Sequence, residues 1–168
     1  MTTQLQELKK ATEAIINMFA QSNITLDYSL ESAKLIDQLF DQEYKKGKLI
    51  NPKGNFAKYE GLLLTGVAGY LADIMLKNST GSKIEIDSSD EDWYVNFKVV
   101  AVNTWTVLPG QRVMKRKFEG YESNFYHYVL AMSKYFNESD ISSTETSTHL
   151  QEIYIENNSP KKPWWRLW

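Results

Sequence analysis

The chain has 168 residues, 42% hydrophobic and 13% aromatic content, a formal net charge of −2 and no cysteine. That length can bury a real core within one domain. The balanced charge, with 16 basic and 16 acidic residues up to Phe136, argues against a dedicated nucleic-acid binder, and the missing thiol removes disulfides, thiolate nucleophiles and cysteine metal sites.

The start is polar, with no basic segment leading into an apolar one, and no later run holds the ~18 consecutive apolar residues of a membrane span. A cytoplasmic protein is the expectation, with another protein rather than nucleic acid or a membrane as its partner. Over Thr3 to Gln21, Leu5, Leu8, Ile15, Met18 and Phe19 recur at three- and four-residue steps, which predicts an amphipathic helix. After "SNITLDY", Ser29 is placed to cap a second helix with Leu30, Ala33, Ile36, Leu39 and Phe40 on its buried stripe and Glu31 near the N-terminal dipole. Two glycines and a proline in "KKGKLINPKGN" predict a loop.

A third helix, Tyr59 to Lys77, is apolar around most of its circumference and is expected at the centre of the fold. Gly61, Gly66 and Gly69 each cost about 1 kcal/mol against Ala in a helix. Gly66 and Gly69 leave a smooth groove, either for close packing against the sheet or for a ligand. Beyond "NSTGS" the period changes to two, predicting antiparallel strands over Lys83 to Asp87, Trp93 to Val100 and Val102 to Leu108. Pro109-Gly110 stops the sheet; helices follow at Arg112 to Phe118 and Tyr121 to Phe136.

The fold class is therefore α+β, helices flanking a small antiparallel sheet of three to four strands. The single domain covers 1–136. The Ser, Thr, Glu and Asp composition of 137–148 predicts a flexible linker, and 149–168 adds "LQEIYIE" as a candidate edge strand before an aromatic terminus.

The chemistry-bearing residues are few. His127 lies in a helix and His149 in the tail, and no carboxylate stands at helical spacing from His127, so neither a metal nor a cofactor is expected. No nucleophile elbow or phosphate loop occurs. The acidic run Glu85, Asp87, Asp90, Glu91 and Asp92 lacks the spacing and glycine of a calcium loop and reads as a solvated turn. In "QRVMKRKFEG", Arg112 and Arg116 share a helix face and either clamp an anion or lie along a solvated surface.

The phrases "LDYS", "GVAGYLAD", a tryptophan at 93 and "PGQRVMKRKFEG" resemble the segments of a bacterial domain family of unknown function. The match runs over Leu26 to Ser29, Gly66 to Asp73, Trp93, Pro109, Val113, Lys115, Arg116 and Gly120, and covers about Leu26 to Phe136. It implies the α+β fold and supplies no activity. Asp73 stands where the family carries Glu, and a structural pair between Asp73 and Arg116 is the expectation drawn from it.

Two functions are consistent with these readings. One is a non-enzymatic interaction protein of the immunity or adaptor kind. The other is an enzyme or small-ligand binder using Asp73, Arg112 and Arg116, with His127 or Tyr128, in a cleft between helices and sheet. "KKPWWRLW" at the terminus holds three of the five tryptophans. Burying all three, at ~200 Å² each and ~25 cal/mol per Å², offsets the ~12 kcal/mol of ordering eight residues. Trp164, Trp165, Arg166 and Trp168 are therefore expected to contact either their own domain, a partner, or a membrane interface.

Overall fold

A computed structural model describes residues 3–137. In chain order it comprises α1 (Thr3–Gln21), α2 (Leu30–Glu43), β1 (Tyr44–Lys45), β2 (Lys48–Leu49), α3 (Asn55–Lys77), β3 (Lys83–Glu85), α4 (Trp93–Asn96), β4 (Lys98–Val100), β5 (Thr106–Val107), α5 (Pro109–Glu119), a 3₁₀ turn (Tyr121–Ser123) and α6 (Phe125–Asn137). The architecture is α+β, with helices around two small antiparallel sheets, one of two strands and one of three. Of the linker expected at 137–148, Asn137 is the last residue of α6 and the rest lies outside the described residues, as do the edge strand within 149–168 and Trp164, Trp165, Arg166 and Trp168.

Helix α3 is the centre, as its all-round apolarity implies. Val67, Tyr70, Leu71, Ala72, Ile74 and Met75 are wholly buried. By length and hydropathy α3 could pass for a membrane span, but 61% of its most apolar stretch is buried inside the fold, which is the signature of a core helix. Its glycines explain the contact with α1. A Cβ on Gly66 would collide with the Ala11 carbonyl oxygen, and one on Gly69 with Thr12 Oγ1. The two helices thus meet backbone to backbone and run antiparallel. The smooth groove expected here is filled by a helix, not by the sheet and not by a ligand. Gly61 has open space around it.

The stretch read as a loop contains a tight hairpin. Lys46 (φ 48°) and Gly47 (φ 76°) are both left-handed, as a two-residue turn between antiparallel strands requires. Gly47 N donates to Lys117 O at 3.0 Å and its Cα backs onto the Phe118 ring, so the hairpin docks on α5.

The second predicted strand is half wrong. Lys98–Val100 is strand, paired in register with β3 (Ile84 opposite Val99) and β5 (Val99 opposite Val107), whereas Trp93–Asn96 is a helical turn. Asp90 causes this: its carboxylate accepts from Asp92 N at 2.8 Å and from Asn96 Nδ2 at 2.9 Å, a local bonding pattern that competes with a strand ladder. Gly110 locks the turn in place, since a Cβ there would lie 2.6 Å from the carbonyl oxygens of Tyr94 and Val95.

The residues that carry the family resemblance have structural positions. Ser29 caps α2 through Ser32 N at 3.2 Å, and Asp27 Oδ1 accepts from Ser29 N at 3.0 Å. Tyr28, at φ 61°, donates its N–H to Tyr70 Oη at 2.8 Å and stacks on the Tyr70 ring at 5.1 Å. Pro109 opens α5, Val113 is core, and Gly120 ends α5 at φ 83°.

Gly66→Ala should destabilise the protein by about 1–3 kcal/mol through overpacking, against its helix propensity. Gly61→Ala should stabilise it by about 0.5–1 kcal/mol. Urea unfolding of the two variants, which differ in sign, checks the seam.

Candidate functional site

Arg116 is buried, with a side chain 2% exposed. Its Nε donates to Asp37 Oδ1 at 2.9 Å, and its Nη2 to Asp37 O at 3.1 Å and Asp41 Oδ1 at 2.7 Å. Asp37 also accepts from Phe125 N at 2.9 Å and Tyr126 N at 3.0 Å, so an α2 carboxylate sits on the N-terminus of α6 where the helix dipole favours it. The expected Asp73–Arg116 pair is therefore wrong. The α2 carboxylate of Asp37 outcompetes it, because Asp37 satisfies a guanidinium and two backbone donors at once.

Arg112 does not join Arg116 in an anion clamp. Its Nη2 donates to Asn124 O at 3.2 Å and its guanidinium lies 5.0 Å from the Tyr128 ring centre. Burial lowers its pKa from the usual arginine range and raises that of the Tyr128 phenol. His127 is exposed on α6; its backbone N donates to Asn124 Oδ1 at 2.9 Å, which caps that helix. Among the described residues no group of three or more His, Asp or Glu could hold a metal ion. In the acidic run, Asp87 takes the N–H and hydroxyl of Ser89, as a solvated turn would.

Asp73 stands apart from both arginines. The charge that acts on it is Lys9 of α1, and burial dominates, pushing its carboxyl up to about 6. It borders Tyr28, whose phenol it pushes upward together with burial. The cleft of Asp73, Arg112 and Arg116 is thus not assembled.

What the fold does assemble is a groove at the N-terminal end of α3. One hollow of about 220 Å³ lies between α1 and α3, lined by Ala14, Met18, Gln21, Tyr59, Leu62 and Leu63 among others. A second, of about 200 Å³, lies between α1, α2 and α3, with Ile24, Leu35, Leu39, Gln42, Glu43 and Phe56 in its wall. Met18 and Asn55 border both, so the two are neighbours. The helical spacing is visible in the lining: 14, 17, 18 and 21 on α1, 35, 38, 39 and 42 on α2, and 55, 59, 62 and 63 on α3. Leu62 and Tyr59 are each 47% exposed and Ile24 36%. The backbone departs from helical geometry at Tyr59 (φ −133°, ψ 32°), which separates the first turn of α3 from the rest of the helix beside the groove.

Among the described residues Glu43 is the one carboxylate in this lining. It is 6% exposed; its Oε1 accepts from Asn51 Nδ2 at 2.9 Å, while its buried Oε2 has no hydrogen-bond partner among the described residues. Gly54 makes room for it, since a Cβ there would lie 2.7 Å from Oε2.

Sequence reasoning passed over this groove. The signal was present in Leu35, apolar beside the core stripe of α2 that includes Leu39, and in Leu62, apolar on a face of α3 taken as enclosed.

No protein-family model, curated protein or solved structure matches this chain.

Two outcomes test the electrostatics. Asp37→Ala should cost about 3–5 kcal/mol by stranding the buried guanidinium, measured by chemical unfolding. For Asp73 the folded pKa lies above the unfolded value of 3.8. The folded state therefore binds the extra proton between 3.8 and about 6, and stability from this group is lost as pH rises through that window. Asp73→Asn should match the parent below the window and exceed it by about 1–3 kcal/mol at neutral pH, read from unfolding curves across pH.

Proposed function

We propose that this protein is a non-catalytic protein-interaction module, of the immunity or adaptor kind, that takes a segment of a partner polypeptide into the groove of α1, α2 and α3. The observation that carries this reading is the pair of neighbouring hollows with Leu62, Tyr59 and Ile24 exposed along them. Exposed apolar side chains grouped on facing helices are the surface that an amphipathic segment covers. The surroundings of the ionisable groups fit the same reading. Arg116 and Asp37 are spent on holding helices together, and Asp73 faces α1 and Tyr28 rather than either arginine. The aromatic terminus, Trp164, Trp165, Arg166 and Trp168, is a second partner-binding surface on composition alone.

Leu62→Glu places a charge in the groove at an exposed position and should leave folding intact. In cross-linking and affinity capture from the native host, the same specific polypeptide should be recovered by the parent chain and by Val102→Glu, which alters an exposed loop elsewhere. It should be lost by Leu62→Glu. Undiminished capture by Leu62→Glu, or a parent chain that brings down nothing above background, would count against the groove.

A further inference from the structure

We propose that the hollow between α1, α2 and α3 receives a cationic side chain, arginine or lysine, of the bound polypeptide, with Glu43 Oε2 as its acceptor. This rests on the groove being the partner-binding surface, and adds the chemistry of what it recognises.

Glu43 is buried, and its Oε2 is without a donor among the described residues; a buried polar oxygen without a donor is the costly arrangement for a carboxylate. No basic residue among the described ones lines either hollow. The nearby cation Lys117 is already engaged by Glu60 at 2.9 Å, as is the Tyr44 hydroxyl, which donates to the same carboxylate at 2.8 Å. The groove therefore carries one negative charge in an otherwise neutral lining, and favours a positive side chain over a neutral or negative one of equal size.

The shape agrees. A volume of about 200 Å³ accommodates one long side chain, and Leu35, Leu39 and Phe19 offer apolar wall for its methylene stem. The adjoining hollow, lined by Met18, Tyr59, Leu62 and Leu63, takes an apolar neighbour on the same segment. Gln38, Gln42 and Asn55, which share the lining with Glu43, are exposed. The structure thus fits a basic residue flanked by apolar ones.

The test is an NMR titration of the isotope-labelled full chain with the peptide acetyl-Leu-Arg-Leu-amide and with its citrulline counterpart, which has nearly the same shape without the charge. The arginine peptide should shift the amides of Ser22, Gln42 and Asn55, and the citrulline peptide should bind at least ~tenfold more weakly. Glu43→Gln, which keeps an acceptor for Asn51, should erase that difference. Equal affinity of the two peptides for the parent chain overturns the proposal without any variant, as does an undiminished preference in Glu43→Gln. Should neither peptide shift those amides while Leu62→Glu still loses the partner, the cation assignment fails alone and the groove stands.

Discussion

The carboxylate of Asp37 is the joint on which the arrangement of α2, α5 and α6 depends. Taking an aspartate and an arginine out of water costs several kcal/mol per ion, and the fold recovers it only because every lone pair in reach is used. Arg116 supplies a charged donor from α5, and Phe125 and Tyr126 supply the first backbone donors of α6. Moving any one of the three helices by an ångström breaks more than one of these bonds. That geometry sets where α5 presents Lys117 and Phe118 to the hairpin, and so where Tyr44 and Glu43 end up.

A second constraint fixes the groove. At Gly66 and Gly69 nothing but hydrogen separates α3 from α1, so the pair is held at close range there. Toward the N-terminus of α3 the residues facing α1 become Leu62, Leu63 and Tyr59, and the helix departs from regular geometry at the last of these. Bulk replaces hydrogen, the side chains do not close over the gap, and two neighbouring hollows result. The groove follows from the change in residue size along a single helix–helix contact.

Much of the scaffold is legible in the chain because it is local. The bounds of α1 and the capping role of Ser29 follow from periodicity and from a hydroxyl that reaches the third amide of a helix. The hairpin at Lys46-Gly47 is less visible, since the lysine adopts a left-handed conformation that glycine alone would advertise. Trp93 to Asn96 reads as strand from its β-branched and aromatic content, and becomes a helical turn because Asp90 bonds locally and Gly110 packs on top. The partner of Arg116 is 79 positions away in sequence, and no spacing rule selects Asp37 over Asp73. Glu43 is harder still: its character comes from helices and a loop meeting, and only Leu35, apolar beside the core stripe of α2, hints at it.

Ser29, Tyr28, Gly66, Gly69, Gly110, Val113 and Arg116 all point inward or cap an element, while Gln38, Gln42, Tyr59 and Leu62 form a separate outward set. On the proposed reading, stability and recognition are therefore written in different letters of this chain. A substitution in the outward set costs little folding energy, as surface changes generally do, so the lining of the groove can change while the skeleton beneath it stays the same.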